Sequence, residues 1–268
     1  MKQTLIEPGG CFIKGTRVHT KEGLKPIEEI KVGDWILSSP EDGGGSPEYK
    51  RVVRTFEHER QTIVRISIHP EGWKSSDPFY FIVATGSHPF WVEGIGWTRA
   101  DALQRQLWLR QSDGGRAFVG GVQPVYRTAQ EGIGWITGAV SIRGPGRAFD
   151  YANYSVIAES EKKKYTYLPD EVLASTDPYL RVNVYNIEVE DFHTYYVGAK
   201  GFLVRSANCE GPEGAREGEG LTEQTLIELG KVPGATAKPP DTNNEIRSQA
   251  GEGFIKGTRV HTKEGLKP

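Results

Sequence analysis

The sequence predicts an all-β domain over residues 11–206, followed by a polar tail that builds no core. Three observations predict it. Runs rich in Val, Ile, Thr and Tyr recur at short intervals between clusters of Gly, Pro, Asp and Ser, the pattern of many short strands rather than long helices. Beyond residue 209 the chain turns polar and rich in Gly and Pro, too poor in apolar side chains to offset the entropy of folding. A sixteen-residue block, CFIKGTRVHTKEGLKP at 11–26, returns as GFIKGTRVHTKEGLKP at 253–268 with Cys11 replaced by Gly253. A repeat at that distance is no solenoid period; it is read as the opening of another domain, cut off after one turn.

In chain order, the strand-like runs are TRVHT (16–20), DWILSS (34–39), KRVVRTFEH (50–58), TIVRISIH (62–69) and FYFIVAT (79–85). They resume with RVNVYNIEVE (181–190), TYYVG (194–198) and GFLV (201–204). One helix is expected at Arg99–Leu109, where Ala100, Leu103, Leu107 and Trp108 can share a face. Residues 112–150 carry DGGRAFVGG and RGPGRAF and are read as turns and a variable insertion, with 144–149 an exposed tip. The charge cluster 159–164 is read as a solvated loop. The domain layout expected is a flank at 1–10, a folded domain at 11–209, a polar linker at 210–252 and the truncated copy at 253–268.

Composition excludes several classes of function. With 33 Lys+Arg against 35 Asp+Glu, the net charge is −2, without the basic excess of a nucleic-acid binder. No apolar run is long enough for a membrane-spanning helix, and Met1–Gly10 has no apolar core of the signal-peptide kind. Two cysteines, Cys11 and Cys209, make no disulfide framework. Without CxxC, six scattered His suggest no zinc site; no metal and no cofactor are expected, and the partner expected is the chain's own flanking polypeptide.

Three constellations can carry chemistry. Cys11 follows Gly-Gly, so the carbonyl before it is unhindered. A thiolate there can attack that carbonyl through a five-membered intermediate and turn an amide into a thioester; the plainer reading is a buried apolar Cys. In ATGSHPFWV (84–92), Thr85 can assist an oxyanion while His88 protonates a departing amide nitrogen; otherwise His88 is a hydrogen-bonded structural residue. In VYNIEVEDFHTYYV (184–197) a strand carries Asn186, Glu188 and Glu190, then His193, and a hairpin leads to RSANC (205–209). An Asn can cyclise onto its own carbonyl and break the chain, although Asn208-Cys209 is also an ordinary surface-turn dipeptide.

Taken in order, these motifs resemble the Hint (hedgehog/intein) domains, and among them the bacterial intein-like and pretoxin Hint domains of polymorphic toxins. CFIKGTRVHT resembles the family's opening, EGLKPIEEIKVGD (22–34) its continuation, TGSHPFWV its TxxH block, and YNIEVEDFHTYYV with GFLV its last two blocks. The resemblance covers about 11–206. It implies a flat, pseudo-twofold, all-β horseshoe that brings the chain ends together. It also implies single-turnover autocatalysis, in which Cys11 shifts the Gly10–Cys11 bond to a thioester with His88 and Thr85 assisting. Water, a thiol or a side chain beyond the domain then takes the acyl group, and His193 belongs to the terminal cyclisation. A monomer inside a larger toxin or surface polypeptide is implied, with no nucleic acid and no membrane as partner.

The chain departs from the family at one end. Arg205 and Ser206 stand at the usual His-Asn positions, and Asn186 stands where many inteins have Asp. Arg205 holds no proton to transfer at neutral pH, and Ser206 has no amide to cyclise. Asn208 is then a displaced substitute with Cys209 as acceptor. Amino-terminal chemistry is therefore expected intact and carboxyl-terminal chemistry impaired. The alternative is a decayed, non-catalytic Hint spacer between toxin modules. A papain-type protease is disfavoured because Phe12–Val18 is β-like rather than a helix start. A homing-endonuclease insertion is disfavoured because 88–193 contains no basic patch.

Overall fold

The computed structural model describes residues 10–206 apart from 75, 78, 79 and 139–141. Most of the flank 1–10, the pair Asn208–Cys209, the linker 210–252 and the copy 253–268 lie outside the described residues.

Antiparallel strands dominate. Thirteen of them hydrogen-bond in one path, and a fourteenth, Gly23–Pro26, pairs with Arg17–Thr20 at its side. The path starts at Trp108–Arg110 and ends at Gly96–Arg99, but Leu109 also pairs with Val92 of the penultimate strand. That pairing closes the sheet on itself, which leaves few unpaired edges. The short strand Phe12–Ile13 lies between Tyr80–Ala84 and Arg181–Val189, so the start of the domain is paired on both sides. Its neighbours come from residues some 70 and 170 positions later, and the site depends on these long-range pairings.

Side-chain alternation along a strand separates two of the buried clusters, and a third gathers Trp135, Leu168 and Val172. Phe12 joins Ile66, Ile68, Phe90, Ile187, Tyr195 and Phe202 in the larger one. Cys11 and Ile13, on the opposite face, join Val83, Val125, Tyr151, Val182 and Val184 in the second. Phe12 is fully buried and touches His88, Phe90 and Tyr195, with ring centroids 4.0, 6.1 and 6.2 Å away. Burying a phenyl ring contributes roughly 1.5–3 kcal/mol, and its edge-on contacts hold the neighbouring rings in place.

Two expectations are corrected. The helix expected at Arg99–Leu109 is a single 3-10 turn, Ala100–Ala102, followed by the strand Trp108–Arg110. Backbone bonds to a neighbouring strand capture the segment: Gln106 donates to the Val119 carbonyl and Val119 to that of Leu107, and Gln106 takes φ 70°. Residues 112–150 are not mainly turns. Arg116–Pro124 pairs along Val64–Pro70, and Tyr126–Arg127, Ile133–Thr137 and Gly146–Asp150 make a second sheet around the fully buried Trp135. The Gly120-Gly121 pair that suggested a turn sits at a β-bulge. A Cβ on Gly120 would lie 2.2 Å from His69 Nε2, so the glycine makes room for a ring rather than for a reversal.

Candidate active site

The Gly10–Cys11 peptide bond is held from both sides. Continuing the register Phe12–Tyr185 by one residue sets Cys11 opposite Asn186. Thr85, on the other flanking segment, forms a reciprocal pair with Cys11. The Cys11 N–H donates to Thr85 Oγ1 at 2.9 Å, and the Thr85 N–H donates to the Cys11 carbonyl at 2.9 Å. Across the bond, Asn186 Nδ2 donates to the Gly10 carbonyl oxygen.

The Asn186 amide has a defined orientation because its oxygen is already engaged. Asn186 Oδ1 accepts from the Tyr195 hydroxyl at 2.6 Å and from the Ile187 N–H at 2.7 Å. Burial, with a contribution from Cys11, pushes the Tyr195 phenol well above its ordinary range, so the hydroxyl stays protonated and donates. With two donors on Oδ1, the NH2 group is the end presented to Gly10.

His88 ends the turn that starts at Thr85, whose carbonyl accepts from the His88 N–H at 3.1 Å. The 3-10 turn at Ala100–Ala102 anchors that bend. Ala100 N–H donates to the His88 carbonyl at 2.8 Å, and Asp101 N–H to that of Gly86 at 3.0 Å. The imidazole lies between Phe12 and Phe90, 4.0 and 5.7 Å from their ring centroids, and is 0% exposed. Burial lowers its pKa to about 3, with the Gly10 backbone acting weakly in the opposite sense. Neither ring nitrogen meets a partner at full hydrogen-bond geometry, so burial decides the protonation state, and His88 is neutral at pH 7.

Gly10 lies against this residue. A Cβ on Gly10 would fall 2.1 Å from His88 Cα and 2.7 Å from Cγ. No side chain fits there without moving the histidine or the bond.

The carboxyl-terminal seam is built on the same strand. Ser206 Oγ accepts from the Val189 N–H at 3.1 Å, and the Ser206 N–H donates to the His193 carbonyl at 2.7 Å. His193 sits in the turn before Thr194–Val197 with φ 48°. Asn186 and Val189 are three residues apart, so the two seams are anchored roughly 10 Å from each other. Arg205 pairs with Glu41 at 3.1 Å, both side chains partly exposed.

The structure therefore groups Cys11, Thr85, His88 and Asn186 around one bond, with His193, Arg205 and Ser206 at the neighbouring seam. Asn208 and Cys209 lie outside the described residues. The Thr85 hydroxyl meets the amide nitrogen of Cys11, and Asn186 meets the carbonyl oxygen of Gly10. Tyr195 was not singled out from sequence. Its signal was faint: a buried tyrosine needs a partner for its hydroxyl, and which partner depends on the fold.

Residues 17–123 match the family described as the pretoxin HINT domain. Over those residues the chain is similar to a Hint domain. The match includes Thr85 and His88, and stops short of the strand that bears Asn186 and the turn that bears His193. No curated protein matches the chain. Among solved structures, the chain is similar to the bacterial intein-like domain from Clostridium thermocellum, at 23% identity over 73% of this chain and 98% of that one, TM-score 0.45. It is also similar to the gp41-1 intein, at 17% identity over 74% and 99%, TM-score 0.42. A DnaB intein from Synechocystis sp. PCC 6803 gives 10% identity over 74% and 99%, TM-score 0.44.

Proposed function

We propose that this Hint domain cleaves its own chain at Gly10–Cys11 through an N-to-S acyl shift. The observation that carries the reading is the double hold on one peptide bond, its oxygen by Asn186 and its nitrogen by Thr85. Cys11 Sγ attacks the Gly10 carbonyl carbon, and the thiol proton passes to neutral His88. Negative charge gathers on the Gly10 oxygen, against Asn186 Nδ2. The C–N bond then breaks, and His88 returns the proton to the Cys11 nitrogen, which Thr85 holds in place. A Gly10–Cys11 thioester and a Cys11 α-amine result. Water or a thiol opens the thioester and releases the amino-terminal flank.

Cleavage at this one seam is favoured over splicing. Ser206 has no amide to cyclise, and its hydroxyl is engaged by the Val189 N–H. Arg205 is held by Glu41. In this reading the flanks are parts of a larger toxin polypeptide, and the domain acts once on its own chain.

The test is a reporter fused ahead of Gly10 and incubated with dithiothreitol. Mass spectrometry is expected to find the reporter ending at Gly10 and the domain beginning at Cys11, while Cys11→Ala remains full length. A wild-type fusion that stays whole under thiol removes the proposal and leaves a structural spacer.

A further inference from the structure

We infer that Tyr195 is a positioning residue for this acyl shift, its hydroxyl locking the Asn186 amide so that a neutral donor, not a carboxylate, faces the Gly10 carbonyl. The inference rests on the proposed cleavage for its kinetic consequences, but its geometry stands on its own. Asn186 is 1% exposed and Tyr195 0%, so both are shielded from bulk water. An amide can rotate to present either end. Here one end would put Oδ1 against another oxygen, and the other puts Nδ2 there. Tyr195 and the Ile187 N–H, at 2.6 and 2.7 Å from Oδ1, select the second.

The same wiring sets what chemistry the position tolerates. The Gly10 oxygen only accepts and the Ile187 N–H only donates, while the Tyr195 hydroxyl, which is able to do either, here donates to Oδ1. An asparagine satisfies all three at once. An aspartate satisfies Tyr195 and Ile187 with one oxygen but turns an ionised oxygen toward the carbonyl, where charge must build. Protonated, it becomes a donor again. The sign is therefore fixed: an Asn186→Asp variant is slow where the carboxyl is ionised, and recovers relative to wild type as pH falls.

Three measurements test this. In thiol-induced cleavage, Asn186→Ala is expected to be about 100-fold slow, as for other lost oxyanion donors, and Tyr195→Phe about tenfold slow. The double variant should be no slower than Asn186→Ala alone, because Tyr195 acts through Asn186; a further tenfold loss in the double variant overturns the inference. Second, the rate ratio of Asn186→Asp to wild type should rise as pH falls, and a flat ratio counts against the neutral-donor requirement. This second arm decides the matter if Tyr195→Phe does not fold. Third, the Gly10 carbonyl, isotope-labelled in a Cys11→Ala chain that keeps the bond whole, should absorb at higher infrared frequency when Tyr195→Phe is added. An unchanged band overturns the inference whether or not cleavage occurs. A shifted band in a chain whose wild type never cleaves would instead sink the proposed function and leave the orientation intact.

Discussion

Replacing His88 by leucine is expected to remove much of the acid sensitivity of folding between pH 6.5 and pH 3. Buried between Phe12 and Phe90, His88 has its pKa lowered from 6.5 to about 3. Above pH 6.5 the ring is neutral in both folded and unfolded chains, and the folded state bears no penalty. As pH falls below 6.5 the unfolded chain binds a proton that the folded one refuses, so stability declines until about pH 3 and then levels. The loss integrates to an amount on the order of 5 kcal/mol, comparable with the whole stability of an ordinary domain. His88→Leu keeps the bulk and removes the titration. Chemical denaturation at a series of pH values should therefore give a shallower acid slope for the variant, which should also fail to release a reporter under thiol. Parallel slopes for the two proteins would mean that His88 is not held neutral.

Alanine at position 10 is expected to slow thiol-induced cleavage by about 100-fold while leaving the fold in place. The added methyl would sit 2.1 Å from His88 Cα and 2.5 Å from its Cβ, closer than non-bonded carbons can come. His88 is anchored by Ala100 and packed by two phenyl rings, so residue 10 is the part that yields. In yielding it draws its carbonyl away from Asn186, and a misplacement of about 1 Å is enough for a loss of this size. Urea unfolding should stay cooperative, because the pairings of Phe12–Ile13 with both neighbouring strands remain. Cleavage of Gly10→Ala at the wild-type rate would show that the bond reacts in a different place from the one it occupies here.

The strand framework was legible in the sequence because it depends on local pattern. TRVHT, TIVRISIH and RVNVYNIEVE alternate or crowd β-branched residues, and each forms a strand. The segment 112–150 was misread for a local reason too: glycines that serve a bulge and tight packing look the same, in sequence, as glycines that serve turns. The helix expected at Arg99–Leu109 had the right periodicity, but edge pairing with Arg116–Pro124 outcompeted it.

By itself, the sequence determined the all-β class, the likeness to Hint domains, and Cys11, Thr85 and His88 as residues to watch. Each follows from side chains near one another along the chain. The tertiary structure alone decided which end of the peptide bond each residue meets. Asn186 lies 176 residues from Gly10, and only the pairing of Phe12–Ile13 with Arg181–Val189 brings them together. That its nitrogen rather than its oxygen faces the carbonyl depends on a tyrosine hydroxyl from another strand. Hydrogen-bond direction is a property of three-dimensional neighbours, and residue spacing carries no record of it.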